Sequence, residues 1–434
     1  MRLISTKYNI SIILILLSPF SYCSAQTGIW EELKPANSPP PRASFGMAEI
    51  GNNKVLIFGG IYNSKIYDDT WIYDYSTNNW TEIINDMYPP KRFDLKMSRI
   101  NHSKVLLFGG SDPINLIDGG YKDDTWIFDL ETLSWTEIKP QLKPSPRRNF
   151  CLTQLYENIV LLFGGDTIQA HYANDTWIFN LNKNNWEELY IDYFTRPPQY
   201  EGAILAMLDT GKLLFYGGWQ FKLLDQTWIF NFNENKWNKI IPKSKSIPIA
   251  SSSMTNIGKN EVVFWGGDSK DSNGTGNYNK MWVFCLNDSS WRNVQTLDNP
   301  DGRFFHNIIN LGNNKILLFG GSNNRSNIWH NDTWIFTLQP NDIKENNYTS
   351  NNNIKSYLIT DKENKLKIKS SNDGKLDYQL YDIFGNKLLE KEDLFINSDD
   401  EIINVDVSEF TNGLYFFITH QNNNIEVSKV LISR

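Results

Sequence analysis

Four arginines recur at a fixed offset in this sequence, 17 residues before a Gly-Gly pair: Arg42, Arg92, Arg147 and Arg303. A guanidinium group holds a carboxylate or sulfate through paired, charge-assisted hydrogen bonds. Four such groups on one arc of a closed structure would therefore predict an anion site at the mouth of a central channel. The alternative is that each arginine hydrogen-bonds to loops beside it. Both roles remain open, and the structural one is favoured.

Aromatic side chains add to the candidate site. The fourth copy carries Tyr200 where the others have arginine, and the fifth carries Ile249. Extra rings follow several of the Gly-Gly pairs, at Tyr62, Trp219, Phe221 and Trp329. Such rings suit stacking on a sugar face or anchoring a protein partner, although each could instead cap its own sheet. The ligand-binding candidates are Arg42, Arg92, Arg147, Arg303, Tyr200, Trp219 and Trp329.

Groups suited to catalysis are few. Glycosidases use a pair of carboxylates, and the acidic pairs Asp68-Asp69 and Asp123-Asp124 share only that residue type with them. They recur at one repeat position, which favours turn formation. His306 and His330 share one copy, but a metal site needs more ligands at defined spacing. We predict no catalytic residue, no metal and no cofactor.

The elements that position these residues form an internal repeat. An apolar run ends in Gly-Gly six times, 49 to 55 residues apart, at Gly59, Gly109, Gly164, Gly217, Gly266 and Gly320. A tryptophan strand follows each pair, at Trp71, Trp126, Trp177, Trp228, Trp282 and Trp334. A further tryptophan opens a short strand at Trp80, Trp135, Trp186, Trp237 and Trp291.

Each copy therefore contains four short strands and cannot bury both of its own faces. Stacking the sheets around an axis buries them, so the pattern predicts an all-β, six-bladed β-propeller. The glycines permit a close backbone approach where a side chain would clash.

The sixth copy lacks its closing tryptophan strand. Trp334 to Thr337 is followed by Pro340, whereas Trp30-Glu31-Glu32-Leu33 stands 50 residues before Trp80 and matches the missing strand. We expect this N-terminal strand to complete the last blade, so that the ring closes without an exposed edge.

The sequence resembles Kelch repeats over residues 28–339, because each repeat has Gly-Gly, then Asp-Thr-Trp-Ile or a variant of it, then a second Trp. The fifth copy departs from the pattern with Lys280-Met281-Trp282. The resemblance implies a binding propeller. It also leaves open a carbohydrate-active enzyme, because some Kelch propellers are sialic-acid mutarotases that would grip a sugar carboxylate with arginine.

Composition and the N-terminus indicate the compartment. The net charge is -7 without a basic cluster, which argues against nucleic-acid binding. A signal peptide is predicted at 1–25. The chain has a basic start, then an apolar run from Ile10 to Leu17, then small residues at Cys23 and Ala25. A lipoprotein anchor on Cys23 is the alternative. No other segment is apolar enough to cross a membrane. Cys151 and Cys285 are expected to be buried and unbridged.

The C-terminal part has a different composition. Residues 340–354 read as an Asn-rich linker, and 355–434 show short alternating strands that predict a small β-sandwich. Three segments in order, 381–386, 405–408 and 412–416, followed by Lys429, resemble the C-terminal sorting domain of type IX secretion. The resemblance implies a Bacteroidetes-type bacterium, the type IX machinery as a partner, and cleavage of this domain after export. The alternative is a sandwich that binds a ligand itself.

These observations predict a secreted or outer-surface protein that binds a glycan or a protein on the loop-rich face of the propeller. The second hypothesis is a secreted carbohydrate-active enzyme of the mutarotase type. The third is a scaffold without a dedicated ligand, since a fold alone does not determine function.

Overall fold

The computed structural model of the chain describes residues 27–112, 120–169, 171–269, 276–297, 299–323 and 327–338, and six C-terminal segments within 365–432. The chain divides into two units, Met1–Pro340 and Asn341–Arg434. The predicted signal peptide at 1–25 and the linker at 340–354 lie outside the described residues. Among the described residues, no helix has the length and apolar character that crossing a bilayer requires.

The first unit is built from β1 (Thr27–Leu33) and six groups of strands, one group for each repeat. Sheet 1 has β2 (Gly46–Glu49), β3 (Lys54–Phe58), β4 (Ile61–Tyr62), β5 (Lys65–Ile66), β6 (Thr70–Asp74) and β7 (Asn79–Ile83). Sheet 2 has β8 (Lys96–Arg99), β9 (Lys104–Phe108), β10 (Thr125–Asp129) and β11 (Ser134–Ile138). Sheet 3 has β12 (Arg147–Arg148), β13 (Cys151–Tyr156), β14 (Ile159–Thr167), β15 (His171–Asn180) and β16 (Asn185–Leu189).

The remaining sheets repeat this plan after a 3-10 turn at Tyr193–Thr195. Sheet 4 has β17 (Ile204–Asp209), β18 (Lys212–Tyr216), β19 (Thr227–Asn231) and β20 (Lys236–Ile240). Sheet 5 has β21 (Ser253–Gly258), β22 (Glu261–Trp265), β23 (Asp268–Ser269), β24 (Gly276–Asn277), β25 (Met281–Cys285) and β26 (Ser290–Leu297). Sheet 6 has β27 (Asn307–Gly312), β28 (Lys315–Phe319), β29 (Ser322–Asn323), β30 (Ile328–Trp329) and β31 (Thr333–Leu338).

Each group has a four-stranded antiparallel core, and the short pairs β4–β5, β23–β24 and β29–β30 form separate two-stranded sheets. The second strand of each core carries four consecutive buried apolar residues. In sheet 1, the side chains from Val55 to Phe58 are 0% exposed. Both faces of such a strand must therefore be covered, which is why the sequence shows a continuous apolar run rather than alternation. Six apolar clusters fill the gaps between neighbouring sheets. The core is thus divided among six interfaces and lies around a central axis, as in a β-propeller.

Backbone hydrogen bonds tie the sheets into a closed ring at the start of the innermost strands. One residue from each repeat takes part, and its φ lies between 52° and 63°. The N–H of each residue donates to the C=O of the previous repeat's residue, in the order Ser44 to Phe305, Phe305 to Ser251, Ser251 to Gly202, Gly202 to Asn149, Asn149 to Asp94 and Asp94 to Ser44. These donor–acceptor distances are 2.8 to 3.4 Å, and we call the closed circle the belt.

The N-terminal strand completes sheet 6, as the sequence predicted. β1 pairs antiparallel with β31, with Trp30 opposite Phe336 and Glu32 opposite Trp334. Its first residues also pair in parallel with the end of β26 in sheet 5. The ring is therefore closed by joining the two ends of the repeat region.

A second set of bonds links each closing tryptophan to the sheet before it. The indole Nε1 donates to a threonine Oγ1 at 3.0 to 3.2 Å in five interfaces: Trp80 to Thr333, Trp135 to Thr70, Trp186 to Thr125, Trp237 to Thr176 and Trp291 to Thr227. The sixth interface differs because Met281 occupies the threonine position of repeat 5. The Nε1 of Trp30 is accordingly buried without a hydrogen-bond partner.

The Gly-Gly pairs act as the sequence predicted, by allowing backbones to meet. Gly59 and Gly60 have φ of 68° and 99°. A Cβ on Gly59 would lie 2.7 Å from the carbonyl oxygen of Arg92, in the next repeat. The N–H of Gly60 donates to that same oxygen at 2.9 Å. A side chain here would therefore separate neighbouring sheets.

The second unit is a small sandwich of two sheets. Its strands are β32 (Lys365–Lys369), β33 (Gly374–Asp382), β34 (Lys387–Ile396), β35 (Ile402–Asp406), β36 (Gly413–Gln421) and β37 (Asn424–Ile432). β32 pairs with β35, and the other four strands form the second sheet. Leu376, Leu380 and Phe417 of the larger sheet pack against Val405 of the smaller one. The sequence predicts strands at 366–368, 378–383, 402–407, 414–419 and 425–432, which do not include β34. Part of the 381–386 segment lies outside the described residues.

Candidate functional site

The four repeated arginines are among the most buried side chains of the chain, with 0 to 1% exposure. Each forms two hydrogen bonds of 2.5 to 2.9 Å to an aspartate of its own sheet: Arg42 to Asp69, Arg92 to Asp124, Arg147 to Asp175 and Arg303 to Asp332. Their Nη1 atoms also donate to the carbonyl of the first glycine of each pair. A buried guanidinium group requires such compensation.

This arrangement corrects two expectations. The arginine side chains point back into their own sheets and do not face the channel mouth, because the carboxylates that neutralise them lie at the start of the third strand. Asp69 and Asp124 are structural, but as arginine partners rather than as turn formers. Burial alone would raise the pKa of Asp124, but the hydrogen bonds and charge of Arg92 outweigh it and hold that pKa below its ordinary value.

The Asp-Thr-Trp motif is explained by the same contacts. Asp124 also accepts a hydrogen bond from the Nε1 of Trp126 at 2.7 Å. Thr125 accepts from Trp186 of the next repeat at 3.0 Å. Each motif residue thus joins strands within a sheet or between sheets, so the motif recurs for structural reasons.

The other predicted residues are placed differently from one another. Tyr200 is 4% exposed and stacks on Phe215, so it belongs to the core. Trp219 is partly exposed, and its backbone pairs with Glu201. Trp329 is partly exposed and lies edge-to-face with Tyr62, with ring centroids 5.7 Å apart. Trp219 and Trp329 therefore remain available to a ligand, at different points of one face.

The two histidines of repeat 6 are not arranged as metal ligands. The Nε2 of His306 lies 2.9 Å from the carbonyl oxygen of Trp265. Burial, aided by Arg303, lowers the pKa of His306 to about 3 and that of His330 to about 4. Within the described residues, no group of three or more His, Cys, Asp or Glu side chains is placed to hold a metal ion. Cys151 and Cys285 are free and buried, as predicted.

A ring of backbone pairs lies next to the belt, one pair for each repeat. Each pair joins the residue after the arginine position to the residue after Gly-Gly: Ala43 with Ile61, Phe93 with Ser111, Arg148 with Asp166, Glu201 with Trp219, Ala250 with Asp268, and Phe304 with Ser322. Repeats 1, 2 and 6 carry no charged residue at these positions, and repeat 5 carries one, Asp268. Repeats 3 and 4 break the symmetry with charged residues side by side.

The charged residues form what we call the mouth cluster, defined as Asp94, Tyr121, Arg148, Asp166 and Glu201. The Nε of Arg148 donates to Asp166 at 3.0 Å, and the Tyr121 hydroxyl donates to the same oxygen at 2.6 Å. An Nη1 of Arg148 lies 3.7 Å from the Asp94 carboxylate. The guanidinium group lies 5.1 Å from the centre of the Tyr121 ring. One arginine thus serves several acidic groups, unlike the one-to-one pairs inside the sheets.

The electrostatics of the mouth cluster differ from those of the buried pairs. Burial and the neighbouring Asp166 raise the pKa of Glu201, with Arg148 opposing them. Burial also raises the pKa of Asp94, against a hydrogen bond from Ser44 and the charge of Arg148. Carboxyl groups with raised pKa values close to one arginine are typical of functional sites.

Sequence reasoning missed this cluster because it looked for residues that repeat. The signal was present one position after each arginine, where the six copies read Ala43, Phe93, Arg148, Glu201, Ala250 and Phe304. Two adjacent copies carry opposite charges there. In a repeat protein, a departure from the repeat at a partly exposed position is the more informative observation.

The face that carries the mouth cluster also carries most of the exposed apolar side chains. We call it the loop face, defined by the connections between sheets and the hairpins between second and third strands. Among the described residues of the first unit, eleven of thirteen exposed large apolar side chains belong to these segments: Ile84, Met87, Tyr88, Leu142, Ile168, Tyr190, Tyr193, Phe194, Phe221, Ile241 and Ile328.

Comparison with known proteins identifies both units. The profile of the KLHDC2/KLHL20/DRC7 Kelch-repeats domain matches residues 17–165 and 87–260. The profile of the secretion system C-terminal sorting domain matches residues 362–433. The solved structure of YjhT is similar to this chain with a TM-score of 0.56 and 16% identity, covering 71% of this chain and 98% of YjhT. At that identity, the similarity concerns the fold alone.

Curated relatives are distant. Adagio-like protein 1 of Oryza sativa subsp. japonica is 26% identical over 44% of this chain and 31% of its own length. An F-box/kelch-repeat protein of Arabidopsis thaliana is 25% identical over 65% of this chain and 66% of its own length. The chain thus spans between about a third and two thirds of these two relatives.

Proposed function

The chain belongs to the Kelch-repeat family and carries a type IX sorting domain that directs it to the cell surface or the outside, and from its mouth cluster we propose that it binds a neutral glycan on the loop face. The observation that carries this proposal is the break in repeat symmetry at Arg148, Asp166 and Glu201. Repeats 1, 2 and 6 form the same backbone pair without a charged residue, which supports a role for these charged groups beyond the scaffold.

The chemistry of the mouth cluster suits sugar hydroxyls. Carboxylates of Asp166 and Glu201 can accept hydrogen bonds from hydroxyl groups, and Arg148 can donate to them. Trp219, paired through its backbone to Glu201, offers an aromatic face beside them. Because the cluster has more acidic than basic groups, it favours a neutral sugar over an acidic one.

A carbohydrate-active enzyme is the second candidate, and the raised pKa of Glu201 is the observation that favours it. A carboxyl group with a raised pKa can act as a general acid on a sugar oxygen. The mutarotase version of this hypothesis relied on arginines gripping a sugar carboxylate. The four repeated arginines are neutralised by their own aspartates, which weakens that version.

The test is a glycan array with the secreted protein, followed by calorimetry on the best neutral ligand with Glu201→Gln. We expect the substitution to weaken binding tenfold or more, since a hydrogen bond to a charged group contributes about 1.5 to 3 kcal/mol. Because the pKa of Glu201 is raised, affinity should begin to fall with decreasing pH above the range of an ordinary glutamate.

The matched control is Glu157→Gln, because Glu157 is exposed on the opposite face. It should bind the glycan like the native protein. If native protein binds no neutral glycan, or Glu201→Gln binds as well as native, the proposal is wrong. If native protein accelerates anomer exchange and Glu201→Gln does not, the enzyme hypothesis replaces it.

Deleting residues 341–434 in the native host should leave the propeller in the periplasm. The removed unit is the one that matches the sorting domain. Cell fractionation and immunoblotting measure the outcome, and protease resistance of the retained propeller shows that it has folded. The intact chain in the same host is the control. Normal release of the shortened chain would contradict the sorting role.

A further inference from the structure

The part of the loop face that belongs to sheet 4 is basic, although the net charge of the protein is -7. Residues 210–250 contain six lysines and two acidic residues. The six lysines are spread along the chain, and the fold brings three exposed ones to the loop face. Lys222 lies on the hairpin between β18 and β19, and Lys243 and Lys245 lie on the connection that follows β20.

Contacts around sheet 4 place three segments of the loop face side by side. The Nζ of Lys245 lies 3.6 Å from the carboxylate of Asp225, which joins the connection after β20 to the hairpin between β18 and β19. The turn Tyr193–Thr195, from the connection before sheet 4, packs against β20. Because β20 ends one residue before Ile241, that turn lies next to the start of the following connection. The three segments therefore form one surface.

Apolar side chains project from the same surface. The exposed fraction is 89% for Phe194, 88% for Phe221 and 87% for Ile241. Tyr193 is exposed as well, and its ring lies 5.6 Å from that of Phe194, centroid to centroid. Side chains this exposed contribute almost nothing to the core, and their burial against a partner would be favourable. We call this surface the sheet 4 patch, defined as Tyr193, Phe194, Phe221, Lys222, Ile241, Lys243 and Lys245.

The charges on the sheet 4 patch are not balanced. Among the described residues, no carboxylate lies within ion-pair distance of Lys222 or Lys243. The Asp192 carboxylate next to the patch already accepts a hydrogen bond from the backbone N–H of Phe194 at 2.8 Å. The guanidinium group of Arg196 adds a further positive charge beside it. The excess of positive charge complements an anionic partner.

The exposure of the apolar side chains indicates what kind of anionic partner fits. Phe194, Phe221 and Ile241 come from three different segments, and each projects into solvent over nearly its whole surface. A folded partner would need a pocket for each of them at a fixed spacing, whereas the headgroup region of a bilayer is fluid and accepts side chains that project singly. Aromatic and aliphatic side chains next to lysines are typical of protein surfaces that lie on a bilayer.

We propose that the sheet 4 patch binds an anionic lipid surface. Its lysines contact the charged headgroups, and Phe194, Phe221 and Ile241 enter the boundary between headgroups and acyl chains. The patch belongs to a chain that is directed to the cell surface or the outside, so it meets lipid surfaces after export. This binding does not depend on the mouth cluster.

Sedimentation of the full secreted chain with lipid vesicles tests the proposal. One set of vesicles contains phosphatidylcholine alone, and the other contains phosphatidylcholine and phosphatidylglycerol at about three to one. The native protein should bind the anionic vesicles about tenfold or more tightly, because each lysine near an anionic surface adds to the affinity. The preference should disappear at about 1 M salt, where the Debye length falls to about 3 Å.

A triple variant isolates the contribution of charge. Replacing Lys222, Lys243 and Lys245 with glutamine should remove the preference for anionic vesicles. The matched control removes the same charge from exposed hairpins on the opposite face, and it should keep the preference: Lys183→Gln, Lys236→Gln and Lys259→Gln.

A second pair of variants isolates the apolar contribution. Phe194→Ser/Phe221→Ser should weaken binding to the anionic vesicles, because the rings no longer enter the bilayer. The control is Ile84→Ser/Met87→Ser, on the connection between sheets 1 and 2, where residues 79–90 contain no lysine or arginine. Both control side chains are exposed, and their replacement should leave vesicle binding unchanged.

Equal binding of the native protein to both kinds of vesicle would overturn the proposal, as would no binding to either. Retention of the preference by the triple lysine variant would do the same, because the lipid contact would then lie elsewhere in the chain. Binding of soluble poly-glutamate without binding of vesicles would assign the patch to an acidic protein segment instead. Glu201→Gln should bind vesicles like the native protein, so failure of the glycan proposal is distinguishable from failure of this one.

Discussion

Replacing Arg92 with methionine should lower the free energy of unfolding by about 3 to 5 kcal/mol, the usual result of removing one partner from a buried ion pair. Arg92 is 0% exposed and supplies two hydrogen bonds to Asp124 and one to the carbonyl of Gly109. Without it, the carboxylate and the carbonyl stay buried with fewer donors. Urea denaturation followed by circular dichroism measures the change.

Arg99→Met is the matched control, because Arg99 lies on the same sheet but its ion pair with Glu49 is partly exposed. It should change stability by about 1 kcal/mol or less. The double variant Arg92→Met/Asp124→Leu should recover part of the loss, since no charge is then left unpaired. If Arg92→Met unfolds at the same urea concentration as the native protein, the ion pair does not stabilise the fold. An anion-binding role for the arginines would then regain support.

The same pair has a defined pH dependence. The pKa of Asp124 is lower in the folded protein than in the unfolded chain, as are those of Asp175 and Asp332. The unfolded chain therefore takes up protons first as the pH falls. The stabilisation is complete at neutral pH and is lost as the pH falls through the acid range.

Features that repeat could be predicted from the sequence. The strand order and the Gly-Gly contacts appear in several repeats. The strand at Trp30 supplies the tryptophan strand that the sixth repeat lacks. Six copies of a pattern average out the side chains that differ, so what remains is what the scaffold needs. The apolar runs before each Gly-Gly pair identified the central strands for the same reason.

Features that depend on contacts distant in the sequence could not be predicted. Arg42 and Asp69 are 27 residues apart, and nothing in the chain between them indicates that they meet. The sequence showed the constant offset of the arginines but not their aspartate partners. The prediction that the arginines face the channel mouth was therefore wrong. The mouth cluster was missed because its members come from three different repeats.

The strand Lys387–Ile396 of the second unit was missed for a different reason. Its sequence carries several charged residues and lacks the alternation that marks a half-buried strand. Lys387, Glu390 and Lys391 are exposed or nearly so. Pairing with the neighbouring strand Gly374–Asp382 outweighs this weak local signal.

Removing residues 27–33 should have the largest effect of any change, because it opens the ring. The strand from Thr333 to Leu338 would lose its outer partner and expose an unpaired edge beside apolar side chains, which favours aggregation. The single substitution Trp30→Ala tests how much the packing of this one side chain contributes to stability. Trp30 is 2% exposed and lies 5.4 Å from Trp265 and 5.0 Å from Phe336, centroid to centroid. A loss of about 3 to 5 kcal/mol is expected, measured by urea denaturation.

A matched pair of milder changes separates packing from hydrogen bonding at this seam. Trp80→Phe removes the donor to Thr333, whereas Trp30→Phe removes an Nε1 that has no partner because Met281 replaces threonine. Trp30→Phe should therefore cost less stability than Trp80→Phe, by about 1 kcal/mol. The opposite order of stabilities would mean that hydrogen bonding does not distinguish the two interfaces. If the protein without residues 27–33 unfolds at the same urea concentration as the intact protein, the ring does not depend on its closing strand.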